Sequence, residues 1–406
     1  MKPSRYAMLG VALVGFFAPG AHAAPAKKTV GALPLEKLAG RMQLVARFNG
    51  PMPTGVAVSH KGRIFVNFPR WGDKVPFTVA EVKNGRTVAY PSTGLNQFGN
   101  EGNRAKLAAE GSSAYRADRL VSVQSVVVDP RDRLWLLDTG SIKFGPVAYG
   151  GPKLVGIDLK TNKVFKKIVI PTDVAVPTTY LNDVRFDLRR GAAGMAFITD
   201  SGGESPNGII VVDLDSGRSW RRLGGHPSVK AEPKFLPFVE GRAMMFRAPG
   251  QFPQYVNIGS DGIAISHDGR RLFYCPLASR RLYSVSVEAL ADANQTDEQV
   301  AATVIDHGDK GASDGLESDA QGRVYVTLYE HNAIARRLPN GLYETLLHDP
   351  RALWPDTLAL ARDGYLYFTA NQLHRQPNFN NGQDLRRKPY SLFRLKVSAP
   401  PVLLRK

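Results

Sequence analysis

Along most of the chain apolar and polar side chains alternate one for one. Residues 121–138 ("VSVQSVVVDPRDRLWLLD"), 153–170 ("KLVGIDLKTNKVFKKIVI") and 208–223 ("GIIVVDLDSGRSWRRL") show it plainly. Period-two alternation marks strands with one face buried, and Asn162, Asp213 to Gly217 and Asp268-Gly269 supply the intervening turns. The alternation is itself repeated. In "WPDTLALARDGYLYFTANQLH" (354–374), Asp356 precedes the turn glycine Gly364 by eight positions; the same interval separates Asp314 from Gly322, Asp261 from Gly269 and Thr54 from Gly62. Looser copies begin near Gln124 and Asn182, making six units in all. Six copies of a unit holding about four strands predict an all-β fold, a six-bladed β-propeller, because radial closure protects the sheet edges.

The predicted propeller spans residues 41–397. Residues 41–49 form a strand with no blade of their own, and the last unit, ending in "YSLFRLKV" (390–397), is one strand short. The N-terminal strand is therefore expected to complete the last blade. Two short helices are expected between strands, over 103–117 and 287–302. Residues 24–40 read as a linker and 398–406 as a C-terminal tail.

Residues 1–23 read as a cleavable export signal: Lys2 and Arg5 precede an apolar run from Ala7 to Ala18, and Ala21-His22-Ala23 fits a small-residue cleavage site. The run is shorter than the roughly 20 residues that span a bilayer, and no other segment is long enough. A secreted or periplasmic protein with no membrane insertion after cleavage is expected. Cys275 is the single cysteine, so no intrachain disulfide can form. The formal charge of +17 falls to +15 without Lys2 and Arg5, and it is carried by scattered pairs, not by a stripe. No nucleic-acid partner is expected on that pattern.

In an antiparallel blade, the loop before the first strand and the loop joining strands two and three lie on one face. That places Thr54, Gln124, Asn182, Asp261, Asp314 and Asp356 around the mouth of a central channel. The second set of loops, overhanging it, carries Trp71, Asp138, Asp200, Ser201, Ser279, Tyr329, His331 and Asn371. Each acidic position also has a plainer reading, as a turn organiser through side chain to backbone hydrogen bonds. Together they make a stronger case, because converging carboxylates resist joint ionisation unless a cation, a basic ligand or a raised pKa relieves them. Asp314, Asp356 and His331 are the candidate proton-transfer residues. Thr54, Gln124, Asn182, Asp261, Trp71, Tyr329 and Asn371 are the candidate ligand-binding residues. There is no Gly-x-Ser-x-Gly elbow, His-Glu-x-x-His, cysteine pair or phosphate loop, so serine hydrolases, zincins and nucleotide enzymes lack support.

Four stretches together, "LVSVQSVVVDPRDRLWLLDTG", "PKLVGIDLKTNKVFKKIVIP", "VAYPSTGLNQF" and "WPDTLALARDGYLYFTANQLHR", resemble the Yellow and major royal jelly protein family in its bacterial branch. The resemblance covers about residues 41–396. It implies an exported six-bladed propeller binding a small cyclic or aromatic ligand at the channel mouth, with dopachrome-type tautomerisation among the family's activities. A more distant resemblance, to the gluconolactonase and regucalcin group, implies a divalent cation such as calcium on a Glu, an Asn and an Asp. Asn182 and Asp261 match the last two, but Thr54 stands in place of the Glu. A metal-dependent lactone hydrolase is thus the rival enzymatic reading, and a non-catalytic ligand-binding or envelope protein is the third.

Overall fold

The computed structural model describes residues 37–98 and 113–406. Over these residues the alternating segments form six four-stranded antiparallel sheets. Blade one comprises Val56–Val58, Ile64–Asn67, Val79–Lys83 and Arg86–Ala89. Blades two to five begin with Val123–Val128, Leu181–Asp187, Ser260–Ile265 and Leu316–Ser318. Blade six contains Pro355–Leu360, Tyr365–Ala370 and Tyr390–Lys396, and its fourth strand is Met42–Phe48 from the other end of the chain. Met42 pairs with Leu395 and Phe48 with Tyr390, so the ring closes on a hydrogen-bonded seam as the sequence implied. The fold is a six-bladed β-propeller.

The first strands of neighbouring blades pack against one another around the centre. Polar side chains on the second strands lace blade to blade. The Thr199 hydroxyl donates to the Asp261 carbonyl and the Thr369 hydroxyl to the Thr54 carbonyl, both at 2.6 Å. The Asn67 amide donates to the carbonyls of Val123 and Gln124 at 3.0 and 2.8 Å. Such close approach leaves no room beside the first strand. A Cβ on Gly262 would lie 2.2 Å from the Asp314 carbonyl oxygen, and one on Gly315 would lie 2.3 Å from that of Asp356. The Asp-Gly pairs at 261–262 and 314–315 are therefore packing devices, not turns; Asp261 and Gly262 both lie within the strand Ser260–Ile265.

At the other end of blades two and five, an aspartate organises the turn between strands one and two. Asp129 accepts from the backbone NH groups of Arg131 and Arg133 and from the Trp135 indole. Asp319 repeats the scheme with Gln321, Arg323 and the Tyr325 hydroxyl. Residues 398–406 cross this end of the ring. Ala320 NH donates to the Pro400 carbonyl at 3.1 Å and Leu188 NH to the Leu404 carbonyl at 2.9 Å, with Leu404 buried.

Helices are short. The expected helix over 287–302 is two, Val287–Ala291 and Asp297–Ala301, because the polar run between them ends in Thr296, which caps the second in a reciprocal box with Gln299. Of the expected helix over 103–117, Ser113–Asp118 is seen and residues 103–112 lie outside the described residues. The export signal over 1–23 and most of the 24–40 linker lie outside them too. No helix among the described residues is long and apolar enough to cross a membrane.

Candidate functional site

The first strands deliver their leading side chains to one end of the ring, where a cavity of about 480 Å³ opens. Gln124, Asn182, Asp261, Asp314 and Asp356 line it, so five of the six positions marked by the repeat meet there. Thr54, the sixth, is withdrawn. Its hydroxyl donates to the Gln124 carbonyl at 3.0 Å and accepts from the Asn67 amide at 2.7 Å, serving the joint between blades one and two.

Three carboxyl groups form the floor. The Asn182 amide donates to Asp261 Oδ2 at 2.8 Å, the Trp354 indole donates to Asp314 Oδ2 at 2.8 Å, and the Asn371 amide donates to Asp356 Oδ2. All three aspartates are buried. Burial, and then the charges of Asp314 and Asp356, push Asp261 well above the usual carboxylate range. Asp356 is pushed up in the same way by burial and Asp314, against the hydrogen bonds from Asn371 and Thr357. Burial raises Asp314 to about 6, restrained by its bonds to Trp354 and Asp261. The three are coupled and titrate as a unit.

The walls are aromatic. Trp71 stacks on Phe144 at 5.0 Å between ring centroids, and Phe144 lies 5.4 Å from Tyr180. The Trp71 indole donates to the Tyr180 hydroxyl at 2.6 Å, and that hydroxyl donates to Gln124 Oε1 at 3.1 Å. This chain fixes the rotamer of Gln124 and leaves its amide nitrogen as the donor beside the floor. Opposite, Phe246 and Phe379 stack at 5.2 Å and 17°. Phe246 comes from the long connection between blades three and four, and Phe379 from the 3₁₀ turn Pro377–Phe379 in blade six. The backbones of Arg247 and Asn378 join them by a 2.7 Å hydrogen bond.

Of the overhanging residues expected at the mouth, Trp71 and Ser201 line the cavity. Asn371 stands behind Asp356 as its hydrogen-bond partner. Tyr329 is buried and does not line the cavity; it stacks on Trp354 at 4.2 Å with its hydroxyl donating to the Leu277 carbonyl. The exposed His331 does not line the cavity; its carbonyl accepts from His348. Asp138 and Asp200 are structural, Asp138 holding Lys153 at 2.7 Å and Asp200 holding Arg221 at 2.7 Å. Sequence reasoning missed Phe144, Tyr180, Phe246 and Phe379.

The remaining lining is apolar or neutral apart from Glu204, exposed at the rim. Among the described residues, four carboxyl groups and no lysine, arginine or histidine line the cavity, in a chain whose formal charge is +17.

Residues 121–398 match the model of the family described as "Major royal jelly protein". The chain belongs to that family. Among curated relatives it is 28% identical over 256 residues to Protein yellow of Drosophila erecta, covering 60% of this chain and 43% of the relative. Protein yellow of Drosophila melanogaster gives the same identity and coverage. The chain thus spans less than half the length of these relatives. Two solved propellers share the fold. One is the calcium-binding protein regucalcin of Agrobacterium tumefaciens (TM-score 0.51, 13% identity, 89% of this chain and 98% of that one). The other is a luciferin-regenerating enzyme (TM-score 0.52, 10% identity, 90% and 99%).

The metal ligands implied by the regucalcin resemblance are not reproduced by this royal jelly family member. Thr54 is locked into the blade joint, and Asn182 turns its amide NH₂ toward Asp261. Among the described residues, no group of three or more His, Cys, Asp or Glu side chains is arranged to hold a metal ion.

Proposed function

We propose that this family member is exported and binds a small aromatic or cyclic compound bearing a cationic nitrogen in the central cavity, and that it moves a proton on that compound. One observation carries the reading: the cavity combines four carboxyl groups with stacked aromatic walls and excludes basic side chains. An ammonium group is stabilised by ring faces and by carboxylates together. Its arrival also relieves the repulsion among the three carboxyl groups, so binding and ionisation reinforce each other.

The same floor provides a matched acid and base. Asp314, raised to about 6, is ionised at neutral pH yet basic enough to take a proton from an acidic ring carbon. Asp261 and Asp356, pushed up by burial and by the neighbouring carboxyl groups, are the candidates to supply one to an oxygen. This is the division of labour that a tautomerisation needs.

The test is a thermal-shift screen of amines, catechols and lactones, followed by turnover of a dopachrome-type substrate. Stabilisation by aromatic amines, with turnover lost in Asp314→Asn, supports the proposal. Stabilisation by none of the amines or catechols overturns it.

A further inference from the structure

A second cavity, of about 630 Å³, lies between the hairpin formed by Phe238–Val239 and Arg242–Ala243 and the blade-six loop that carries residues 374–387. It shares Phe379 with the central cavity, so the Phe246–Phe379 stack stands between the two. Its charge is the reverse. Among the described residues, Arg242, Arg375, Arg386 and Arg387 line it, against Glu240 and Asp384.

Both carboxylates are already committed. Arg375 Nε and Nη2 grip the two oxygens of Glu240, which also takes His374 Nε2 at 2.7 Å. Arg386 grips Asp384 and, with the same guanidinium, Asp73 at 2.8 and 3.1 Å. The guanidinium groups of Arg242 and Arg387 make no hydrogen bond or ion pair among the described residues, and both residues are exposed. Arg387 nevertheless starts from a fixed backbone: its NH and carbonyl are both held by the side-chain amide of Gln372, at 2.8 and 2.6 Å. Between the charges the lining is apolar, from Val239, Met244, Phe379 and the 38% exposed Leu385.

We propose that this groove is a second ligand site, for a small organic anion (a carboxylate or sulfonate) carrying an apolar ring. The anionic group meets Arg242 and Arg387, whose planar donors suit a carboxylate or sulfonate. The ring lies on Met244, Phe379 and Leu385. Such a ligand is excluded from the acid-floored central cavity by charge, so the two sites sort ligands by sign. The site does not depend on the central cavity binding an amine.

The probe is 8-anilinonaphthalene-1-sulfonate, with N-phenyl-1-naphthylamine, the same rings without the sulfonate, as its neutral partner; both are titrated by fluorescence. The expected result is at least tenfold tighter binding of the sulfonate by the parent protein. In the double variant Arg242→Glu, Arg387→Glu that advantage disappears while binding of the neutral probe holds. The double Arg→Lys variant restores part of it. Arg270→Glu, at an exposed residue on another blade, removes general surface attraction without touching the groove and should leave the advantage intact. Sulfonate binding that is indifferent to the Arg242 and Arg387 reversals, or that falls equally in Arg270→Glu, overturns the proposal. Loss of sulfonate binding in Asp261→Asn would place the probe in the central cavity and overturn it as well.

Discussion

Asn182 and Asp261, 79 residues apart in sequence, meet side chain to side chain at 2.8 Å across the joint between blades three and four. The contact places a buried carboxyl group at the floor of the cavity with a neutral donor as its partner, not a cation. A charge there is left for a ligand to satisfy. Asp261→Asn is accordingly expected to keep the fold while weakening the amine found by screening at least tenfold. That threshold corresponds to about 1.4 kcal/mol, modest for a charge-assisted hydrogen bond. Calorimetric titration of parent and variant checks it, and unchanged affinity would return Asp261 to a purely structural role.

Asp314 makes stability depend on pH in a direction unusual for a carboxylate. Its folded value of about 6 lies above the 3.8 of the free side chain. Between those values the unfolded chain loses its proton first. Stability contributed by this group is therefore full below pH 3.8 and is lost as the pH rises to about 6. Asp314→Asn should raise the melting temperature of the ligand-free protein at pH 7.5 and leave it nearly unchanged at pH 4. The expected gain is on the order of 2 kcal/mol. Equal effects at both pH values would contradict the assignment.

Close approach at the blade joints predicts an inversion of ordinary helix and strand logic. Gly262→Ala would drive a Cβ to 2.2 Å from the Asp314 carbonyl oxygen and should cost more than about 2 kcal/mol. Gly94→Ala is the control, in the short helix Thr93–Asn96 with nothing within 4 Å, and it should be neutral or mildly stabilising. Urea denaturation measures both; a silent Gly262→Ala would contradict close packing at the joint.

Deleting residues 42–48 removes the partner of Tyr390–Lys396 and exposes its edge. The shortened chain should aggregate and melt earlier, as unpaired edge strands do. A monomer as heat-stable as the parent in light scattering and calorimetry would rule out a structural role for the seam.

Export makes a prediction independent of the site. Protein recovered from its native host is expected to begin at or near Ala24, which N-terminal sequencing reads directly. An intact Met1 on protein in the cytoplasm would end that proposal.

What could be read from the chain alone follows from where regularity lies. The strand period and the fixed interval from Asp356, Asp314, Asp261 and Thr54 to their turn glycines are local signals, so the six blades and the closing strand were legible. The same repeat led to five of the residues that line the cavity. Thr54 broke the pattern because a hydroxyl can serve the Asn67 joint from the same position. The walls were not legible. Phe144, Phe246 and Phe379 sit in irregular connections with no period, and only tertiary contact brings them together. Loop neighbours also diverged. The chain position of Tyr329 predicts the mouth, but its ring is buried against Trp354 and does not line the cavity.

The seam between Met42–Phe48 and Tyr390–Lys396 also sets an order of events during synthesis. Blades one to five can each pair their own strands as they emerge, yet the ring has no keystone until residue 396 has been made. Every shorter nascent chain is an open arc with a raw end at each side. The last blade should accordingly be the last to gain protection in pulse-labelled hydrogen exchange, and any factor that shields the emerging chain has to cover both of those ends until they meet.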